Sequence, residues 1–115
     1  KARTNIYKPQ VTLYTDIVFN GIAIGETHNI TCKLMLGDKD VSNGVASWKV
    51  KRKTDDSVDD AAWATKDKVR NFNGSIDIVW SNDGTEDDIG KGDTATFTFT
   101  ATTTTGKIHQ EYIKV

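Results

Sequence analysis

The residues of this chain able to do chemistry are few, and their spacing decides what they are for. Asp55, Asp56, Asp59, Asp60, Glu86, Asp87 and Asp88 gather in two loops, TDDSVDD and DGTEDDIGKGD. Together they offer the hard oxygens that calcium takes about six to eight at a time. The spacing matches neither an EF-hand loop nor another calcium motif, so solvated loop carboxylates are the default. His28, His109 and Cys32 are the softer donors. Cys32 alternates with Ile30 and Leu34 on one strand face, where a free cysteine behaves as a small buried hydrophobe rather than a zinc ligand. Gly84 to Gly92 has the outline of a phosphate loop. It has one residue too many between its glycines, a glycine where a hydroxyl should hold magnesium, and three carboxylates that repel phosphate. No nucleophile elbow or HExxH run accompanies the histidines. The expectation is a chain that is not an enzyme, with no cofactor and no metal.

Two further features bear on binding. Trp63, in AAWATKDK beside the first acidic loop, is the candidate for stacking on a sugar ring; the plainer reading packs it over a sheet edge. Lys49, Lys51 and Lys53 project from one face of a strand, with Arg52 opposite or at its end. Exposed strand lysines guard an edge against unwanted pairing, and without interleaved aromatics they do not argue for nucleic acid. Asn29-Ile30-Thr31 and Asn73-Gly74-Ser75 are glycosylation sequons by rule, which arise easily in so threonine-rich a chain.

These residues must be positioned by strands. Apolar residues recur with period two, and threonine, valine, isoleucine and aromatics dominate. The pattern predicts strands at 11–19, 27–36, 46–53, 61–68, 75–81, 94–103 and 107–115. The intervening runs carry glycine, asparagine or aspartate where turns need them. Trp80 follows Ile76 and Ile78 at period two and belongs to their buried face.

With 115 residues and a formal charge of −1, the chain fits one domain and has no overall preference for phosphate. A single cysteine rules out an internal disulfide. No stretch reads as a signal peptide or membrane span, so membrane insertion is not expected. The polar start, KARTNIYKPQ, reads as a tether over 1–10, with the domain at 11–115 and the whole cut from something longer.

The most regular strand is TATFTFTATT, at 94–103. Ala95, Phe97, Phe99 and Ala101 share one face; Thr94, Thr96, Thr98, Thr100 and Thr102 share the other. Burying the two phenylalanines contributes roughly 1.5–3 kcal/mol each and fixes the register, since a one-residue slip would wet both rings. A hydroxyl row of this kind can match a lattice or a sugar. Ice-binding faces need several such rows, this sequence supplies one, and β-propensity accounts for it.

Here the residues resemble a family. GDTATFTF, at 92–99, is similar to the D-x-A-x-Y-x-C stretch of strand F in immunoglobulin domains, with Phe97 at the tyrosine-corner position and Phe99 where the second cysteine would be. Cys32 in NITCKL looks like the strand B cysteine, and Trp48 in ASWKVKRK like the strand C tryptophan that packs on the bridge. Without a second cysteine the bridge cannot form, and without the phenol the corner hydrogen bond is lost. The resemblance implies an all-β, immunoglobulin-like β-sandwich of about seven antiparallel strands with no disulfide. It also implies that the two acidic loops meet at one end.

The run from Trp48 to Thr54, followed by DDAAW at 59–63, is similar to immunoglobulin-like modules appended to bacteriophage tail, fibre and head-decoration proteins and to bacterial surface proteins. That resemblance implies a non-catalytic module of a virion or cell-surface protein. Its partners would be other domains of a parent protein and cell-surface glycans, and its work to space, decorate or adhere weakly. The competing expectation is a carbohydrate-binding module with a defined site around Trp63, which requires an exposed ring.

Overall fold

The structure is a computed structural model and describes residues 8–17, 26–54, 58–80, 88–89 and 94–115. The described chain forms eight strands, β1 (Gln10–Tyr14), β2 (Thr27–Leu36), β3 (Lys39–Asp40), β4 (Val45–Thr54), β5 (Val58–Asp59), β6 (Ser75–Val79), β7 (Ala95–Thr103) and β8 (Ile108–Lys114). They make two antiparallel sheets of four strands each. In the first, β2 is the spine, pairing with β6 along its first half, with β1 along its second and with β3 at its tip. The second runs β5-β4-β7-β8. With β1-β2-β6 on one side and β5-β4-β7-β8 on the other, the strand order is that of an immunoglobulin-like sandwich.

The core lies between the sheets and follows from strand alternation. Ile30, Cys32 and Leu34 of β2 and Ile76 and Ile78 of β6 meet Trp48, Val50, Phe97, Phe99 and Ala101 of the other sheet. Cys32 is buried and free, and burial pushes its thiol up to about 12. Where a disulfide would bridge the sheets, three rings stand instead. Trp48 meets Phe72 edge-on with centroids 6.5 Å apart, and Phe72 lies 5.7 Å from Phe99. Phe72, from the turn RNFNG, is the member that strand periodicity does not reveal. The turn reaches inward because Gly74 adopts φ +100, which L side chains rarely take, and its carbonyl accepts the Cys32 N–H at 2.6 Å.

Two expected strands change. The first stops at Tyr14: Thr15 Oγ1 accepts the N–H of Ile17, turning the chain, and residues 18–19 lie outside those described. The segment 61–68 is no strand. It forms a 3-10 turn (Trp63–Thr65) followed by one helical turn, α1 (Asp67–Arg70). Asp60 is the reason. Its carboxylate accepts the N–H of Trp63 at 2.9 Å, and its carbonyl accepts that of Ala64, as an aspartate does at the start of a helical turn. Ala61 and Ala62 give no β-branched counterweight.

Of the sheet edges, β1 of the first sheet and β8 of the second lie beside each other; the opposite edges are β6 with β3, and β5 with the part of β4 it leaves uncovered. β1 and β8 run in the same direction and do not pair with each other, with grooves of about 500 Å³ and 360 Å³ between them. Ala95 and Val115 exchange both backbone hydrogen bonds, so the odd-numbered residues of β8 face β7 and Ile108, Gln110, Tyr112 and Lys114 face the free edge. The Tyr112 N–H on that edge is already taken by Glu111 Oε1 at 3.0 Å, which discourages pairing with a foreign strand. No helix among the described residues is long and apolar enough to cross a membrane.

The alternation makes a direct prediction. Phe99→Ala should cost about 3–5 kcal/mol in denaturant unfolding through the cavity it leaves. Thr98→Ala, one residue along, should cost below about 1 kcal/mol. Equal effects would show that the two faces are not as assigned.

Candidate functional site

Trp63 is 1% exposed. Its ring packs 5.6 Å from that of Phe97, with the Arg52 guanidinium 5.7 Å from its centroid. This corrects the reading of Trp63 as a glycan contact: no face of the ring is open to stack on a sugar. The cause is the 3-10 turn, which rolls the side chain inward where a strand would have carried it along a sheet edge.

The indole N–H of Trp63 donates to Asp88 Oδ1 at 2.7 Å. Asp88 is itself 1% exposed, and its other oxygen accepts from Lys68 Nζ at 2.6 Å and from the Val79 N–H at 2.7 Å. The Asp88 carbonyl accepts from Arg52 Nη1 at 2.7 Å, while Arg52 Nη2 pairs with Asp60. Lys68 also donates to the Asp77 carbonyl. A carboxylate so deep is tolerable only when charge and lone pairs are both met, and here they are.

Asp60 and Asp88, one from each acidic run, come together at one end of the sandwich through Arg52, and Asp88 is also bonded by Lys68 and the Trp63 indole. Asp55, Asp56, Glu86 and Asp87 lie outside the described residues. Among the described residues no cluster of three or more His, Cys, Asp or Glu is placed to hold a metal ion.

The histidines are apart, one in each sheet. His109 stands opposite Ala101 on β8. His28, opposite Ile78 on β2, donates from Nδ1 to Asp16 Oδ1 at 2.7 Å, with Glu26 3.8 Å from Nε2. The Asp16 hydrogen bond, helped by the charges of Asp16 and Glu26 and opposed by desolvation, raises the His28 pKa above its ordinary 6.5. The sequon Asn29 has its amide engaged by Ser75 and Asp77 across the β2–β6 ladder.

What the fold does present is the outer face of the second sheet. Thr96, Thr98, Thr100 and Thr102 form its middle row. On one side stand Lys53, Lys51, Lys49 and Ser47, each opposite one threonine. On the other stand Lys114, Tyr112, Gln110 and Ile108 in the same order. The ranks read straight across, Lys51–Thr98–Tyr112 for example. Tyr112 is 66% exposed and Ile108 64%. The threonine row has no second row beside it; lysines flank it instead. Arg52, expected opposite the lysines, points inward with its side chain 14% exposed. Trp80, expected in the core, is half-buried against it.

Sequence reasoning found the lysine row and the threonine row separately. That β8 completes the face was missed, although alternation in IHQEYIK places Ile108, Gln110, Tyr112 and Lys114 together. Comparison with family models, curated proteins and solved structures returns no match.

Two outcomes are expected from this geometry. Trp63→Phe keeps the ring and removes the N–H, leaving one Asp88 oxygen unmet, and should cost about 1–3 kcal/mol. Lys68→Met should cost about 3 kcal/mol, at the low end for broken buried pairs because the ammonium stays 34% exposed. Chemical denaturation checks both, and a Trp63→Phe variant as stable as the parent would remove the network's claim on the indole. The His28 pair acts through pH. Because folding raises the His28 pKa, its contribution is full below about 6.5 and fades as pH rises through the folded value. His28→Gln should therefore destabilise at pH 5.5 and have little effect at pH 9; the opposite order would refute the assignment.

Proposed function

We propose that this chain is a non-catalytic accessory module of a larger virion or bacterial surface protein, a spacer that also adheres weakly to cell-surface glycans. One observation carries the spacer half. The domain's first and last strands leave it at opposite poles. Gln10 begins β1 opposite Met35, and with Pro9 it lines the groove beside Ile108 and His109 at the start of β8. Val115 closes the chain beside Ala95, which pairs with Thr54 at the far end of β4. Domains joined at these two points would be strung in line, each separated by at least the length of β8.

The adhesive half rests on the outward face of the second sheet, whose hydroxyls, ammonium groups and exposed phenol are the groups that contact polar polymers. A defined sugar site around Trp63 has lost its ring to the core. Asp60 and Asp88, two of the carboxylates that would have bordered it, are turned on Arg52 and Lys68. Strand order alone does not assign work to a sandwich, and both halves of the reading rest on surfaces.

Tandem chains of one, two and three copies, joined through residues 115 and 8, test the spacer. Small-angle scattering should show the maximum dimension growing by a constant step of at least ~24 Å, seven β8 residues at ~3.4 Å each. A tandem that folds back on itself, with no increment, sinks the spacer reading.

A further inference from the structure

We propose that the outward face of β4, β7 and β8 binds an anionic glycan, its acidic groups lying along Lys49, Lys51, Lys53 and Lys114 and one of its sugar rings resting on Tyr112. The inference deepens the adhesive half of the proposed function and rests on it.

Charge is the first argument. The chain carries a formal −1, yet four lysines stand on this one face. No Asp or Glu occupies an outward position on β4, β7 or β8, and Asp59 of β5 stands in register opposite Lys53 at the rim. The nearest buried carboxylates, Asp60 and Asp88, are turned to the interior side of β4, where Arg52 takes them. Along β4, β7 and β8 the outward charged side chains are all lysines, a concentration by which a near-neutral domain attracts a polyanion without making the whole molecule sticky.

Shape and chemistry narrow the partner. Three strands bring its side chains into ranks that read straight across, so it suits an extended chain rather than a compact ligand. Threonine hydroxyls run down its middle, between the β4 lysines and the mixed row of β8, and each both donates and accepts, as sugar hydroxyls require. Gln110 Nε2 already bonds Thr100 Oγ1 at 3.0 Å, which holds that rank level. Tyr112 offers a phenol ring in the middle rank, between Lys114 and Gln110. A single aromatic suits one sugar ring; a single-stranded nucleic acid groove would stack successive bases on several. Lysine here acts as a point charge, without the planar fork by which arginine grips phosphate in two places.

Guarding an edge explains Lys49 and Lys51, since β5 covers only the last two residues of β4. It also covers Lys114 on the edge strand β8, but gives no reason for the exposed phenol of Tyr112 on the same face.

The test is a backbone NMR titration of the whole chain with four polymers: a carboxylated oligogalacturonate, a neutral dextran, polyglutamate and a single-stranded oligonucleotide. Oligogalacturonate should give saturable shifts at Lys49, Lys51, Thr98 and Tyr112, weakening as salt rises. Lys49→Gln with Lys51→Gln should weaken it by about tenfold, and Tyr112→Ala by about fivefold while leaving polyglutamate unchanged. All three changes are on solvent-facing positions, and retention of the parent spectrum elsewhere certifies the fold. Equal binding of polyglutamate and oligogalacturonate, both indifferent to Tyr112→Ala, overturns the glycan assignment in favour of bulk charge. Tighter binding of the oligonucleotide overturns it in favour of nucleic acid. Shifts with dextran on another surface overturn this face while keeping the adhesive reading, and no shift with either glycan at millimolar concentration overturns both.

Discussion

A carboxylate almost wholly removed from water must be met on every side, and the arrangement of one whole end of this domain follows from how Asp88 is met. One of its oxygens fixes the Trp63 indole, the other fixes Lys68 and the Val79 amide, and its carbonyl fixes Arg52. Through these bonds a loop between β6 and β7, the turn after β5 and the end of β4 are held in a single arrangement. Hydrophobic contact alone would not choose it, because the Trp63 ring would be equally dry in several orientations. Replacing such a buried ionic set with apolar side chains is often tolerated, whereas removing one partner is not. Its contribution is therefore to specify one geometry, and the apolar core supplies the bulk of the stabilisation.

The same network separates what the sequence made legible from what it did not. Period-two alternation was enough for β2, β4, β6 and β7, because each buries one face and a slipped register would wet aromatic or branched side chains. It also placed Cys32 inward and Lys49, Lys51 and Lys53 outward. Alternation failed at 61–68, where Trp63 and Thr65 read as strand composition although three alanines stand among them. There a local bond, Asp60 to the Trp63 amide, outweighed the pattern. An aspartate three residues ahead of a buried aromatic is the signal that was available. The partnership of Trp63 with Asp88 had no local trace, since 25 residues separate them. Nor had the contribution of Phe72, which depends on the left-handed backbone of Gly74 to bring a turn residue under Trp48.

The candidate face sits between these cases. Each row was readable along its own strand, but only the pairing of β4 with β7 and of β7 with β8 brings lysine, threonine and tyrosine into common ranks. Inward and outward faces are consequences of one another: the phenylalanines that anchor β7 are what hold its threonines level. The carboxylates drawn inward by Arg52 and Lys68 leave the outer side of the sheet with its positive charge. The domain's interior electrostatics and its surface character are therefore one distribution of charge, divided by β4.

The opposite-pole exits of β1 and β8 also set how the domain would carry load. Tension applied through its ends acts along both terminal strands, which run in the same direction at the edges of different sheets. Such a pull slides β1 against β2 and β8 against β7, so that all the hydrogen bonds of each ladder resist at once. A hairpin pulled from its open end would instead lose them one after another. Resistance would then be governed by the rate of unfolding rather than by equilibrium stability, and the short β1 ladder, with five paired residues against seven for β8, is the one to yield first.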